Sequence, residues 1–384
     1  MIQQRPADNP RASAGSDRRP GAGLVDSLVE SVEVLPIRVP LRDDPAAAAT
    51  HEAVVLVLHS GGMEGYGEAT ALPARGESLR LLAAELQAMT GRLLGRSLDS
   101  VLANSGGSAG AASALETAAL DLVGRLTGRR VVDLLGDPAR DRLECNLLVT
   151  GTAPGNIIGE VRAAVEAGFG AFKLKAVPLW RVNPNTAIRI ELERLAAARW
   201  AAGADARLRI DFNGVLDPAT CELALASLSQ ADLEMVEQPL AAGAPASEWL
   251  ALAGWSRTPL AADESLVHPA TAAALAGAGI GLAIKLSTIG GPRAAVALAG
   301  LAPVGTAVLL SSSMDSAVGI AAALHTACAI AGPVRASGLA TRSRLAGDLA
   351  TGLAPDSAWL ELPPGPGLGV DLDRAAVEAY RTAV

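Results

Sequence analysis

Six short apolar runs in the middle and later parts of the chain each end in a charged or hydroxyl residue. The runs are AFKLK to Lys175, LRID to Asp211, EMVE to Glu237, PLAAD to Asp263, LAIK to Lys285 and AVLLSSS to Ser311–Ser313. An ionised group beside apolar packing costs several kcal/mol unless it is paired or binds a metal. We therefore expect the three carboxylates and two lysines among these residues to share a common partner.

Strands and helices alternate after Arg142. We predict eight strands, namely LECNLLV, AFKLK, RLRID, LEMVE, PLAAD, GLAIKL, TAVLLS and VRASGL. Helical patterns lie between them, for example at Asn156–Ala167, Pro218–Leu228 and Asp315–Ile330. This alternation predicts a parallel sheet closed into a β/α barrel, which directs the carboxyl ends of all its strands to one face. Asp211, Glu237 and Asp263 are each separated by 26 residues, about one α/β unit, so consecutive strands would deliver consecutive carboxylates.

The pattern before residue 140 is different. The runs VESVEVLPIRVPL, EAVVLVLHS and EGYGEA predict three antiparallel strands, with Gly61–Gly62 in the turn between the last two. Helical periodicity follows at Ser78–Leu94 and Ala111–Leu126. We expect a disordered tail at 1–27, an α+β capping domain at 28–140, the barrel at 141–350 and a C-terminal segment at 351–384 that packs back on the cap. VPLWRVNPN after Lys175 is longer than the other connections and predicts a local insertion.

Composition narrows the partners. The 384 residues carry a net charge of −8, which provides no basic field for nucleic acid or anionic lipid. No apolar stretch approaches the length of a membrane span, so we expect a cytoplasmic protein with a small-molecule partner. Three cysteines without CxxC spacing predict buried thiols in a reducing compartment, and none of the four histidines shows ligand spacing.

The predicted site has a specific chemistry. Three carboxylates without histidine or cysteine favour Mg²⁺, with Mn²⁺ as the alternative. Lys173 and Lys175 share one face of a strand, so the Lys173 cation disfavours a second ammonium and would help Lys175 act as a general base. Lys285 would lie on the opposite side of the ring. This arrangement predicts proton abstraction from the carbon next to the carboxylate group of a small substrate. A homo-oligomer is possible from the sequence.

Seven segments carry a family resemblance: GYGEA (65–69), SALETAALDLVGRLTGRRVVDLLG (113–136), KLK (173–175), RIDFNG (209–214), VEQPL (236–240), ADES (262–265) and IKLSTIGG (284–291). The chain resembles the muconate-cycloisomerase-like subgroup of the enolase superfamily. The resemblance implies a modified barrel of the (β/α)7β type with an N-terminal capping domain. It implies Asp211, Glu237 and Asp263 as Mg²⁺ ligands and Lys175 and Lys285 as the acid/base pair. Cap loops near Leu41–Ala49 and Ala69–Glu77 would close over the substrate, which we expect Asn213, Ser311, Ser312 and Ser313 to contact.

The reaction within this subgroup depends on the last two strands. SSSMDSAVGIAAALHTA (311–327) and SGLATRSRLAGDL (337–349) resemble o-succinylbenzoate synthases. Val334–Gly347 contains no acidic residue, which disfavours a dipeptide substrate because its ammonium would lack a carboxylate partner. The segment GYGEATALPARGES resembles epimerases and cycloisomerases instead. A lyase is the expected activity, with an N-acylamino-acid racemase, dipeptide epimerase or cycloisomerase as the enzymatic alternatives and a non-catalytic metal-binding relative as a third class.

Overall fold

The computed structural model describes residues 27–42, 49–72 and 76–384. The predicted disordered tail therefore lies outside the described residues apart from its last position. So do residues 43–48 and 73–75, which belong to the two loops expected to close over the substrate.

The cap is a three-stranded antiparallel sheet followed by helices, as the sequence predicts. Its strands are β1 (Ser31–Pro40), β2 (Thr50–Ser60) and β3 (Met63–Thr70), in the order β1-β2-β3. Gly61 and Gly62 form the turn between β2 and β3 with φ of 59° and 72°, a left-handed conformation that favours glycine. The helices are α1 (Leu79–Leu93), α2 (Leu98–Ala103), α3 (Ala109–Thr127) and α4 (Val131–Leu135).

Strand β2 is buried on both faces, which explains its continuous apolar run. Its alternate residues Val54, Leu56 and Leu58 pack into the cap core with α1 and α3. The residues between them belong to the larger core that extends into the barrel. Because a strand points successive side chains to opposite faces, β2 joins the two cores. The cap therefore packs directly against the barrel.

The barrel has seven parallel strands in the order β11-β10-β9-β8-β7-β6-β5. They are β5 (Leu147–Val149), β6 (Ala171–Lys175), β7 (Arg207–Asp211), β8 (Leu233–Glu237), β9 (Leu260–Ala262), β10 (Gly281–Ile284) and β11 (Val308–Leu310). The helices between and after them are α5 (Pro154–Glu166), α6 (Pro184–Ala202), α7 (Pro218–Leu228), α8 (Ala246–Trp255), α9 (Pro269–Gly277), α10 (Leu286–Ile289), α11 (Pro292–Gly300) and α12 (Ala317–Ala329). Proline is the first residue of α5, α6, α7, α9 and α11, where its fixed φ suits a helix and its missing N–H has no helical partner.

The predicted first and eighth strands differ from expectation. LECNLLV divides into β4 (Arg142–Glu144), which pairs outside the barrel with β13 (Trp359–Glu361), and the short β5. VRASGL forms only isolated parallel bridges, from Ser337 to Cys145 and from Gly338 to Ser311. The buried Arg209 side chain also links β7 to this segment, because its guanidinium donates to the Ala336 carbonyl at 2.6 Å. The ring is therefore joined by these bridges and by a side chain, without a regular eighth strand.

The segment after residue 350 contacts both parts of the molecule. It contains β12 (Ala350–Thr351), β13, β14 (Asp371–Leu372) and α13 (Arg374–Tyr380). Arg374 forms ion pairs with Glu33 at 3.0 Å and with Glu64 at 2.7 Å, and Arg381 bridges to Ile37 of β1. These contacts hold the C-terminal segment against the cap sheet.

Cys145, Cys221 and Cys328 are buried free thiols, as predicted. Within the described parts of the chain, none of the helices has the length and apolar character needed to cross a membrane.

Candidate active site

Three carboxylates converge at the carboxyl ends of adjacent strands. Asp211 ends β7, Glu237 ends β8 and Asp263 directly follows β9. Asp211 is aligned with Glu237 in the sheet, and Glu237 is aligned with Ala261. All three side chains are buried, and one oxygen of each lies within 4.8 Å of the others. The structure thus brings together the three residues predicted to bind a metal.

Protein groups compensate the members of this carboxylate trio unequally: although burial opposes the charge on Asp211, Lys173 and Lys175 lower its pKa, whereas the pKa of Glu237 is raised. Burial, with repulsion from Asp211 and Asp263 added, raises the pKa of Glu237 to about 7 although Lys173 opposes this shift. Glu237 Oε2 is also buried without a hydrogen-bond partner among the described residues. A buried oxygen without a partner is unfavourable, and three hard oxygen donors at this separation suit a small divalent cation. The residues present therefore fit the Mg²⁺ that the sequence predicts.

Three lysines surround the trio. Lys173 Nζ donates to Glu237 at 2.8 Å and to Asp211 at 3.3 Å, and Lys175 Nζ donates to Asp211 at 2.5 Å. Lys285, which follows β10, donates to Asp263 at 2.6 Å. Lys175 and Lys285 therefore flank the three strands that carry the carboxylates.

The lysines differ in their access to a ligand. The side chain of Lys175 is 42% exposed, that of Lys285 17% and that of Lys173 8%. Burial opposes the charge on Lys173, but Glu237 and Asp211 outweigh burial and raise its pKa. Burial likewise opposes the charge on Lys285, and Asp263 with Glu264 outweighs it, so that pKa is also raised. The predicted electrostatic effect of Lys173 on Lys175 stays a prediction.

The lysine content was a signal that the sequence analysis did not use. The whole chain contains three lysines, Lys173, Lys175 and Lys285. Every other residue in its combined count of lysine and arginine is an arginine. All three lysines lie in this one cluster. All lysine side chains of the chain thus lie at the carboxylate trio.

Asn213, which was predicted to contact the substrate, lies beside Lys175. It has a left-handed φ of 48°, and its backbone N–H donates to Asp211 at 2.9 Å. Its side-chain oxygen accepts from Lys175 at 2.8 Å, and its side-chain nitrogen donates to Glu264 at 3.0 Å. Glu264 was not among the predicted site residues, although it directly follows the predicted ligand Asp263. These contacts orient the Lys175 ammonium.

Gln238 is a second residue that the sequence analysis missed. It is fully buried with a φ of 39°, and its side-chain oxygen accepts from the backbone N–H groups of Asp263 at 2.8 Å and Ser265 at 3.1 Å. Its nitrogen donates to Ser265 Oγ at 2.8 Å and to the Leu240 carbonyl at 2.6 Å. Gln238 follows Glu237, so it fixes the backbone of one predicted ligand relative to another. Its position directly after Glu237 was the available signal.

The three serines after β11 have different environments. Ser311 is buried, and its backbone bonds to Ile284. Ser312 shares a 2.7 Å hydrogen bond with Thr341. The hydroxyl of Ser313 is buried without a partner among the described residues. Of the three hydroxyls, only that of Ser312 has a hydrogen-bond partner among the described residues.

The cap also contacts the segment that follows the predicted eighth strand. Leu41 bridges to Leu345, and the Arg42 side chain donates to the Leu345 carbonyl at 2.7 Å. Arg342 forms an ion pair with Asp348 at 2.7 Å. The described N-terminal end of the first predicted cap loop thus contacts the barrel, while 43–48 and 73–75 lie outside the described residues.

Comparisons with known proteins agree with this architecture. The family described as "Mandelate racemase / muconate lactonizing enzyme, N-terminal domain" matches residues 28–136, and "Enolase C-terminal domain-like" matches residues 156–376. The chain therefore belongs to the enolase superfamily, in the mandelate racemase / muconate lactonizing enzyme family. This confirms the predicted family and fold class.

Its relatives catalyse more than one reaction. The chain is 29% identical to the chloromuconate cycloisomerase of Cupriavidus pinatubonensis, with 87% of this chain and 93% of the relative covered. It is 31% identical to the o-succinylbenzoate synthase of Thermobifida fusca, over 55% of this chain and 63% of the relative. The structure of the muconate lactonizing enzyme from Pseudomonas putida superimposes with a TM-score of 0.83 and 25% identity, covering 92% of this chain and all of that one. The protein is an enolase-superfamily enzyme whose relatives are lyases and isomerases.

Proposed function

We propose that the protein is an o-succinylbenzoate synthase-like lyase of menaquinone biosynthesis. It would dehydrate 2-succinyl-6-hydroxy-2,4-cyclohexadiene-1-carboxylate to o-succinylbenzoate. The observation that carries the acid/base part of this proposal is the placement of Lys175 and Lys285 on either side of the carboxylate trio.

Asp211, Glu237 and Asp263 would hold Mg²⁺, with Mn²⁺ as the alternative, and the bound cation supplies positive charge beside the substrate carboxylate where negative charge develops. Lys175, as the neutral amine, would remove the proton from the carbon next to that carboxylate, giving an enediolate. The resulting Lys175 ammonium would then protonate the departing hydroxyl, which leaves as water while the ring becomes aromatic. Asn213 holds the Lys175 amine in position for both transfers.

Lys285 has a different role in this proposal. Its Nζ donates to Asp263 at 2.6 Å, and although burial opposes its charge, Asp263 and Glu264 raise its pKa. It would stabilise the enediolate from the opposite face without gaining or losing a proton. The elimination therefore requires proton transfer at one face only.

Two features support dehydration over epimerisation of a dipeptide. Val334–Gly347 contains no acidic residue, so this segment offers no carboxylate for a substrate ammonium. Hydroxyls of the adjacent segments include the Ser312–Thr341 pair and Ser313, while the Asp315 carboxylate of the same loop is already bonded to Thr70 and to Ser313 N. Such groups suit a substrate with hydroxyl and carbonyl oxygens.

A cycloisomerase is the second candidate, because the cycloisomerase relative matches over most of both chains. The test is to offer purified protein with Mg²⁺ either the cyclohexadiene substrate or cis,cis-muconate and to follow the absorbance of each. Loss of the cyclohexadiene absorbance supports the synthase. Turnover of muconate without dehydration of the cyclohexadiene would replace it with the cycloisomerase.

A further inference from the structure

A buried ionic contact joins the cap to the barrel away from the carboxylate trio. Glu68 of β3 and His51 of β2 are both cap residues, and their side chains are 1% and 0% exposed. His51 Nε2 lies 2.9 Å from Glu68 Oε1. The oxygens of Glu68 also accept from Ser316 Oγ at 2.5 Å, from Ser316 N at 3.0 Å and from Gly319 N at 2.9 Å. A carboxylate of one domain is thus bonded to the backbone of the other.

These bonds complete the N-terminus of α12. The first amides of a helix lack helical partners and need acceptors from elsewhere. Ala317 N donates to Asp348 at 2.8 Å and Val318 N to Ser316 Oγ at 3.2 Å, which leaves Gly319 N for Glu68. A negative charge is favourable at this end of a helix. Glu68 is therefore an N-terminal cap supplied by a different domain.

A second bond ties the same strand to the loop that precedes α12. Thr70 of β3 donates to Asp315 Oδ1 at 2.5 Å, and Asp315 Oδ2 accepts from Ser313 N at 3.2 Å. Met314, between Ser313 and Asp315, has a left-handed φ of 67°, which is uncommon for a residue other than glycine. Strand β3 thus holds the loop at Asp315 and at Ser316, in a conformation that the loop does not favour by itself.

Two glycines permit these contacts. A Cβ at position 319 would lie 2.7 Å from the Asp315 Cβ and 3.2 Å from Glu68 Oε2. A Cβ at position 67 would lie 1.9 Å from the Ala114 carbonyl, so Gly67 allows β3 to lie directly on α3. Both the helix end and the strand that carries Glu68 require these close approaches.

We propose that Glu68, paired with His51, is a positioning residue that couples the placement of the cap to the placement of the substrate-facing loop Ser311–Ser316. The loop carries the unpartnered hydroxyl of Ser313 and follows β11 next to the strand that leads to Lys285. Loss of the contact would release the loop while leaving the lysines and the carboxylate trio in place. The consequence for substrate binding rests on the proposed function, whereas the coupling itself does not.

The charges around this contact are consistent with an ion pair. Burial opposes the charge on His51, but Glu68 and then Asp315 outweigh it and raise the His51 pKa. Burial also opposes the charge on Glu68, and His51 with Ser316 lowers its pKa. Burial and repulsion by Glu68 raise the pKa of Asp315. Such charge-assisted bonds are about twice as strong as neutral ones.

The test is Glu68→Gln, which preserves shape but removes the charge and one acceptor. We expect KM to rise about tenfold, the size of one lost charge-assisted bond, while kcat falls less than about threefold. Without substrate, backbone amides of residues 311–324 should exchange hydrogen at least about tenfold faster, measured by mass spectrometry. Glu52→Gln is the matched control, because Glu52 lies on the cap strand β2 and pairs with Arg38 of the cap.

Ser316→Ala is a second variant that removes only a hydroxyl, and it should shift both readouts in the same direction by a smaller factor. Unchanged amide exchange in Glu68→Gln and Ser316→Ala would overturn the coupling. A kcat loss as large as the change in KM would also overturn the positioning role. Faster exchange in a protein that fails to dehydrate the cyclohexadiene would support the coupling and reject the proposed substrate, because exchange is measured without turnover.

Discussion

Two of the clusters of buried charged side chains, at the cap–barrel contact and at the strand ends, differ in what surrounds their charges. At the cap–barrel contact both oxygens of Glu68 have partners from His51, Ser316 or Gly319. At the strand ends Glu237 Oε2 has none among the described residues, although three lysines lie nearby. Buried charges need partners, and the unpartnered Glu237 oxygen lies beside the oxygens of two further carboxylates, an arrangement that suits a bound cation. The first cluster joins domains, and the second is suited to chemistry.

The largest difference between the two clusters should appear on removal of Lys175. In the proposed reaction this residue carries the proton in both transfers, each worth about 10²- to 10⁴-fold in rate. Lys175→Ala should therefore abolish measurable dehydration while leaving the circular dichroism spectrum unchanged. Steady-state kinetics with the cyclohexadiene substrate provide the measurement, and a variant retaining a tenth of the wild-type rate would contradict the role.

The restriction of lysine to this cluster provides an independent check on Lys175. Reductive methylation modifies lysine amines, and Lys175 is the most exposed of the three in the chain. Methylation at Lys175, located by mass spectrometry, should inactivate the enzyme, and substrate with Mg²⁺ should protect it. Full activity after complete methylation of Lys175 would argue against its participation.

Removal of the metal should be nearly as severe. Asp211, Glu237 and Asp263 would repel one another around an incomplete site, so both EDTA and Asp263→Asn should abolish activity without unfolding the protein. Asp205→Asn, at an exposed position, is the matched control and should behave as wild type. Full activity in EDTA-treated, metal-free buffer would refute the metal role.

The sequence predicted the carboxylate trio and the lysines because a parallel barrel brings strand ends together whatever the intervening loops. It also predicted β1, β2 and β3 and the cap helices α1 and α3, since their apolar periodicity is strong. It did not predict Glu264 or Gln238, because their roles depend on side-chain bonds to Asn213, Asp263 and Ser265 across strands. The eighth strand was overestimated, since VRASGL has the composition of a strand but makes only isolated bridges.

A smaller effect is expected at a buried histidine that belongs to neither cluster. His325 Nδ1 accepts from Val132 N at 3.1 Å, its Nε2 contacts the Leu368 carbonyl, and burial lowers its pKa to about 4. Since an unfolded histidine has a pKa near 6.5, protonation favours the unfolded state as the pH falls from about 6.5 to 4, by about 3 kcal/mol in total. That contribution to stability is complete above pH 6.5 and is lost below pH 4.

Urea unfolding across this pH range provides the measurement. His325→Asn should reduce the acid dependence relative to wild type, while His268→Asn, at an exposed site, should leave it unchanged. An identical pH dependence in His325→Asn and wild type would contradict the assignment of this acid sensitivity to His325.

In the proposed reaction, proton transfer occurs at one face, through Lys175, while Lys285 acts by its charge. Lys285→Arg keeps a cation beside Asp263 but has no readily lost proton. The most direct measurement compares dehydration of the cyclohexadiene by this variant with its exchange of the α-proton of an N-acylamino acid in D₂O. We predict that dehydration is reduced but retained. Deuterium exchange as fast as in wild type, with no dehydration, would contradict it and identify a racemase.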